Sequence, residues 1–189
     1  MKGRIPVAVR PERLGVLIGK GGRNRQRLEK LFGVKLEVDE RRGIVFIEPL
    51  PETPAYRVLS AKKAVEAVSL GFSIDDAARL ADDLVTLEVI DVSEAARNRS
   101  DLSRIMSRII GSRGRFKKTL EEMTGASIVV TDKEVGVIGD YEQVRVVHEA
   151  VSRIVRGQSH GTVTTFLENE NRMLKRRRME LWERWEAYK

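Results

Sequence analysis

The sequence predicts an α+β protein made of two copies of one β-α-α-β-β-α unit, and three observations carry that prediction. The first is an internal repeat: Leu17-Ile18-Gly19-Lys20-Gly21-Gly22-Arg23 aligns with Ile109-Ile110-Gly111-Ser112-Arg113-Gly114-Arg115 at an offset of 92 residues (Gly19 to Gly111). The second is that the match continues without a gap, with Leu28-Glu29 on Leu120-Glu121, Gly33 on Gly125, and Leu36 and Val38 on Ile128 and Val130. The third is that strand and helix periodicities follow in the same order around both copies.

Each copy begins with a strand, Ile5, Val7 and Val9 alternating in the first and Leu84, Thr86, Leu87 and Val89 making a β-rich run in the second. A helix then leads to the glycines. In the first copy it starts after Pro11, which suits a first helical turn, and in the second Asp101 is expected to cap a helix running to Ile110. The segment Ser93 to Ser100 is extra in the second copy. A second helix spans about Arg23 to Leu31 and Arg115 to Met123, stopped by Gly33 and Gly125 as C-terminal caps. Two strands follow, Lys35 to Asp39 with Ile44 to Ile47, and Ser127 to Thr131 with Val135 to Ile138. A long closing helix ends each unit, about Pro54 to Leu70 and Tyr141 to Arg156, with Ala61, Ala64, Val65 and Val68 on one face of the first and Val144, Val147, Val151 and Ile154 on one face of the second.

The units are therefore placed at 1–71 and 83–157, with a connecting amphipathic helix at 72–82 and a C-terminal helical extension at 158–189. No Gly/Ser-rich linker separates them, so they are expected to pack together. In the extension Leu167, Leu174, Leu181 and Tyr188 recur every seven residues with Trp182 and Trp185 alongside, a pattern that needs a surface to lie on.

Composition narrows the function. The 35 Lys and Arg exceed the 28 Asp and Glu, a net +7 that favours an anionic partner, nucleic acid before membrane. Residues 171–189 hold seven basic and three acidic side chains, so much of the excess lies in the tail. The absence of cysteine excludes disulfides, thiolate metal sites and a cysteine nucleophile, and fits a reducing compartment. His148 and His160 are too few for a usual zinc site. No apolar run approaches the roughly 20 residues that span a bilayer. The start MKGRIPVAVRPER carries charge and proline where a signal peptide would be apolar, so the expected localisation is cytoplasmic with no membrane partner. No catalytic residue, cofactor or metal site is expected.

The repeated motif carries the chemistry. A Gly-x-x-Gly between two helices lets a nucleic-acid backbone approach the peptide backbone because no Cβ intervenes. The phosphates then meet the N-terminus of the second helix, where free N–H groups and the positive end of the dipole favour an anion. The candidate binding residues are Ile18, Gly19, Lys20, Gly21, Gly22, Arg23 and Arg25 in the first copy and Ile110, Gly111, Ser112, Arg113, Gly114, Arg115 and Lys117 in the second. Base identity is expected from a groove beside each loop, floored by Ile18, Leu36 and Val38, and by Ile110, Ile128 and Val130, with strand backbone groups reading base edges. Phe116 is the only aromatic beside either loop, so little base stacking and modest affinity per module are expected.

With the I-G-x-x-G and the basic helix in both copies, each unit resembles a KH domain. Only about 18 residues precede the first motif, room for one strand and one helix, so the extra strand and helix follow it, as in the type I arrangement, a three-stranded antiparallel sheet with three helices on one face. The tandem arrangement, GFSIDDAARLADD between the copies and RIIGSRGRFKKTLEEMTGASI in the second are similar to the archaeal homologues of the small-subunit assembly protein called partner of the NOB endonuclease. That resemblance covers nearly the whole chain. It implies sequence-selective binding of single-stranded RNA near the 3′ end of small-subunit ribosomal RNA. It also implies the NOB endonuclease and the alpha subunit of translation initiation factor two as partners. The chain departs from the eukaryotic relatives, whose first domain resembles a degenerate KH lacking the glycine motif, because Gly19-Lys20-Gly21-Gly22 is intact.

Competing readings stand beside these. A lone Gly-x-x-Gly is usually a mere turn, but two at matching places in matching frames reverse that. A nucleotide-binding P-loop is rejected because Gly15 to Gly19 encloses three residues rather than four and Gly21 follows the lysine. Arg25, Arg27, Lys117 and Lys118 either contact phosphate or form a solvated face, and Arg104 and Arg108 either flank the groove or solubilise their helix. The Lys175-Arg176-Arg177-Arg178 cluster meets RNA, a protein or solvent, and His148 reads as structural. A nuclease would need an acidic metal cluster. The alternative function is a KH-fold scaffold acting mainly through protein contacts.

Overall fold

The computed structural model describes residues 3–187, the side chains of 177, 178 and 180–187 excepted. The first unit comprises β1 (Ile5–Ala8), α1 (Pro11–Ile18), α2 (Arg23–Phe32), β2 (Val34–Asp39), β3 (Ile44–Pro49) and α3 (Ala55–Leu70). A short α4 (Ile74–Ala78), opened by the Ser73 side chain accepting the Asp76 N–H, leads to the second unit. That unit comprises β4 (Val85–Asp91), α5 (Arg99–Ile110), α6 (Arg115–Thr124), β5 (Ser127–Val130), β6 (Glu134–Asp140) and α7 (Tyr141–Val155), followed by α8 (His160–Ala187).

Both units form three-stranded antiparallel sheets with the last strand in the middle, β1-β3-β2 and β4-β6-β5. In the first, alternation sorts the strands into faces. Val7, Val34, Leu36, Val45 and Ile47 are buried beneath the helices, while Ala8, Lys35 and Glu37 face out. The helices stop where their glycines reach the left-handed region, Gly33 at φ 68° and Gly125 at φ 75°.

The second sheet is covered on both faces. Ile128, Val135 and Val137 pack under α5–α7, whereas Leu87, Ile138 and Val129 join the core of the first unit. Every residue from Val135 to Gly139 is consequently buried. Gly136 is required there, because an added Cβ would lie 2.8 Å from the Phe72 ring, which closes the junction. Polar contacts seal the same seam: Asp76 Oδ1 accepts from Ser127 Oγ at 2.6 Å, Arg79 donates to Ser127 Oγ at 2.9 Å, and Arg10 approaches Glu134 at 3.7 Å. Burial pushes the Asp76 carboxyl up, but hydrogen bonds to it from the Ser127 and Ser73 hydroxyls and the Ser73 backbone N–H, with the nearby Arg79 charge, outweigh that and hold the group below its ordinary value.

Two sequence expectations are corrected. The cap of α5 is Asn98, whose side chain accepts the Asp101 N–H at 2.9 Å. Asp101 sits in the first turn, where its carboxylate accepts the Arg97 N–H and pairs with Arg104. Both residue types cap well, and the extended backbone at Asn98 decides between them. Arg108 neither lines a groove nor faces solvent: its guanidinium donates to the carbonyls of Ile154 and Gln158, tying α5 to the end of α7. Arg13 does the same for α3 through Val68 and Phe72.

The proximal part of α8 docks on the second unit through buried Val163 and Leu167 and the Arg145–Glu170 pair at 2.7 Å. Further along, Met173, Lys175, Arg176 and Met179 are exposed and Leu174 is half-buried. The side chains of Arg177, Arg178, Leu181, Trp182, Trp185 and Tyr188 lie outside the described residues, so the expected apolar seam is traced only as far as Leu174. No helix among the described residues is long and apolar enough to cross a membrane.

Candidate nucleic-acid interface

The two glycine loops have nearly the same backbone. Gly19, Gly21 and Gly22 adopt φ/ψ of 70°/171°, 63°/24° and 78°/10°, and Gly111, Arg113 and Gly114 adopt 75°/170°, 54°/31° and 75°/10°. A 3.1 Å bond closes each turn, Gly22 N–H to the Gly19 carbonyl and Gly114 N–H to the Gly111 carbonyl. The first loop puts glycine at the left-handed third position, whereas the second puts Arg113 there, a non-glycine residue held in a conformation that side chains disfavour.

The glycines of each loop do different jobs. A Cβ on Gly111 would meet the Phe116 Cβ at 2.6 Å and its amide nitrogen at 2.7 Å, so the first glycine lets α5 and α6 close on one another. A Cβ on Gly114 or Gly21 would meet nothing within 4 Å, and on Gly22 only the tip of Gln26 at 3.9 Å. The space outside the later positions is open to a ligand.

Beyond that space stand two bare helix ends. Neither α2 nor α6 has a side-chain cap at its N-terminus or an acidic residue in its first turn. By contrast α7 carries a full capping box from Asp140 and Gln143. The uncapped N–H groups and the dipole favour an anion, and Lys20, Arg23, Ser112, Arg113 and Arg115 lie exposed around them. Ile18 and Gly19, Ile110 and Gly111 form the helix ends behind these loops.

Arg25 and Lys117 occupy equivalent positions in the first turns of α2 and α6, each four residues before a glutamate. Lys117 binds Glu121 at 3.0 Å, and Arg25 Nε lies 4.0 Å from Glu29, buried and without a hydrogen-bond partner. Of the other basic residues, Arg27 pairs with Asp75 on the connector and Lys118 with Glu122.

The expected groove floor is partly corrected. Leu36 and Ile128 are 2% and 1% exposed, because their side chains point under the helices into the core. Ile18, Val38 and Val130 are half-buried and Ile110 is exposed, so these remain to form an apolar wall. Phe116 is also withdrawn: it is buried and stacked on His160 at 4.3 Å, while His160 Nε2 contacts the Arg108 carbonyl at 2.7 Å. This contact docks the start of α8 behind the second loop, and only a long-range fold could reveal it. His148 is half-exposed, with Nε2 3.8 Å from Glu88. Among the described residues no cluster of three or more His, Asp or Glu could hold a metal ion.

Comparison with known proteins decides what this geometry belongs to. Residues 86–172 match the second-domain model of the PNO1 KH group, described as a eukaryotic-type, type I KH domain. A KH domain-containing protein of Methanocaldococcus jannaschii is 36% identical over 173 residues, 92% of this chain and 76% of that protein. The chain belongs to the PNO1-like KH-domain family. The PNO1-like fold is shared by a protein of unknown function from Aeropyrum pernix, with a TM-score of 0.89 and 38% identity over 97% of this chain and 99% of that one. A complex of a/eIF2alpha, aDim2p and rRNA from Pyrococcus horikoshii contains a similar chain, with a TM-score of 0.82 and 34% identity over 90% of this chain and 94% of that one. Among eukaryotic PNO1 relatives, the pre-rRNA-processing protein pno1 of Aspergillus oryzae is 37% identical over 103 residues, 52% of this chain and 39% of that protein. The chain thus spans well under half the length of that relative.

Proposed function

We propose that this PNO1-like chain binds single-stranded RNA through its two glycine loops, gripping the 3′ end of small-subunit ribosomal RNA during ribosome assembly. The observation that carries the reading is the paired geometry: two loops of matching backbone, each with open space beside its later positions and an uncapped, basic helix start behind it. The rRNA in the Pyrococcus complex supports RNA as the ligand. The a/eIF2alpha in the same complex supports the alpha subunit of translation initiation factor two as a protein partner. The NOB endonuclease, the partner that the sequence resemblance implies, is the second proposed protein contact.

The protein acts here as a binding module rather than an enzyme, in the cytoplasm, with recognition units at 1–71 and 83–157, the connector at 72–82 and the extension at 158–189. The sealed junction at Phe72 and Gly136 supports one further element of the reading. Two loops held at a fixed separation let a single strand engage both, raising affinity through effective concentration. The test is binding of an RNA carrying the small-subunit 3′ end against a scrambled control. Selective binding is expected. Unselective, salt-labile binding, with protein capture that survives ribonuclease, would favour a scaffold instead.

A further inference from the structure

Helix α8 outruns the helix it packs on. It lies antiparallel to α7, since the Arg153 guanidinium sits 4.1 Å from the Phe166 ring centre and Arg145 pairs with Glu170 at 2.7 Å. On that spacing Leu174 reaches the level of Tyr141, the first residue of α7, and the helical backbone continues to Ala187 with no more of α7 beside it. The stretch past Leu174 is about 20 Å long at 1.5 Å per residue. Met173, Lys175, Arg176 and Met179 are exposed along it. Val163 and Leu167 are buried and Leu174 half-buried on one stripe of the helix, and the same helical spacing carries that stripe on to Leu181 and Trp185. The stripe thus continues beyond the end of α7.

The same end of the molecule holds a cleft that is both apolar and acidic. Tyr56, Lys63, Leu80, Asp82, Asp83 and Thr86 line a space of about 360 Å³ between α3 and the start of β4. Leu84 and Tyr141, one step beyond the Val85–Asp140 pair of β4 and β6, are 79% and 75% exposed, and Tyr56 and Leu59, one turn apart on α3, are exposed as well. Large apolar side chains gathered in this way mark an interaction surface. Lys63 donates to the Thr86 hydroxyl at 2.9 Å, and Asp82 accepts the Leu84 N–H at 2.9 Å. The other two aspartates of the connector are engaged, Asp75 by Arg27 and Asp76 by Ser127, which leaves Asp82 and Asp83 without an ion pair among the described residues.

We propose that the extension of α8 docks in this cleft of a second copy, and that the exchange is reciprocal, giving a two-fold dimer. Charge selects the occupant. Lys175-Arg176-Arg177-Arg178 is the longest run of basic residues in the chain, and it opens the part of α8 that has left the body. Two free carboxylates repel the phosphates of RNA, whereas a helix with a basic start and an apolar stripe meets both the aspartates and the exposed Leu and Tyr side chains. Extension and cleft lie at one end of the molecule, so two copies satisfy both contacts at once and the assembly closes. A helix stretch about 20 Å long and about 10 Å wide in each contact buries on the order of 800–1,000 Å² over the two. That is the low end for a specific interface, and dissociation on the order of 10 µM is expected.

Sedimentation equilibrium of the full RNA-free chain, from about 1 to 200 µM at about 50 mM salt, reads the assembly. Wild type should pass from monomer to dimer across that range and dissociate more readily as salt rises. Asp82→Lys with Asp83→Lys, and Lys175→Glu with Arg176→Glu, should each weaken self-association at least about tenfold, because each sets like charges against one another. Mixing the two variants should restore dimers, since the basic extension of one meets the acidic cleft of the other and the reversed pair matches as well. Circular dichroism of each variant checks that it is folded. A wild type that stays monomeric at about 200 µM overturns the proposal. Self-association unchanged in both folded variants also overturns it by placing the interface elsewhere, as does a mixture that fails to restore dimers. A monomer whose RNA affinity falls with Lys175→Glu and Arg176→Glu would assign the extension to RNA instead.

Discussion

Alanine at the first and last glycines of the second loop should separate folding from binding. At Gly111 the backbone (φ 75°, ψ 170°) lies in a region essentially reserved for glycine, and the new Cβ would sit 2.6 Å and 2.7 Å from the Phe116 Cβ and backbone nitrogen, which cannot swing aside. Strain of about 1–3 kcal/mol and overpacking of about 1–3 kcal/mol give about 4 kcal/mol, a large share of a typical stability of about 5–15 kcal/mol. At Gly114 the left-handed backbone costs about 1 kcal/mol and the Cβ meets nothing within 4 Å. Thermal denaturation should therefore show Gly111→Ala melting roughly 10 °C below wild type and Gly114→Ala only about 3 °C below. RNA binding, measured where both are folded, should fall at least about tenfold in Gly114→Ala, since its methyl group occupies the space kept for phosphate. Wild-type affinity in Gly114→Ala, or equal destabilisation by the two changes, would refute the division of labour.

Three other outcomes follow from the same geometry. Gly136→Ala should push Phe72 out of the junction and cost about 1–3 kcal/mol, read by denaturation, while RNA affinity for a single short site is kept. Arg113→Gly removes both a left-handed strain and a charge; stability should change by less than about 1 kcal/mol, and the salt dependence of RNA binding should flatten by about 0.7 in slope. Asp76 has its pKa lowered in the folded state, so its contribution is present above its ordinary value near 3.8 and is lost as pH falls through the lowered value. Ser127→Ala should shrink that acid-dependent loss, which melting curves at descending pH would detect.

Much of the fold was legible because it is written locally and twice. The offset repeat from Leu17 to Val38 placed both loops, and the capping glycines Gly33 and Gly125 placed the ends of α2 and α6. What escaped depends on distant parts of the chain. Nothing near Arg108 in sequence announces the carbonyls of Ile154 and Gln158, and nothing near Phe116 announces His160. The double-sided burial of β6 did leave a trace, the unbroken Val135-Gly136-Val137-Ile138-Gly139, since a strand solvated on one face would alternate. Leu36 and Ile128 were assigned to the groove because apolar residues serve a base-binding floor and a core equally well. Only the strand register shows that they point inward.

The central claim, that the two loops hold RNA by its phosphates, is tested most directly by binding of the small-subunit 3′-end RNA at fixed salt to wild type, to Lys20→Asp with Gly21→Asp, and to Ser112→Asp with Arg113→Asp. The account predicts a folded protein in each case and a loss of affinity of at least about tenfold in one or both variants, as charges aimed at the helix ends repel the phosphates. Wild-type affinity in both folded variants would contradict it.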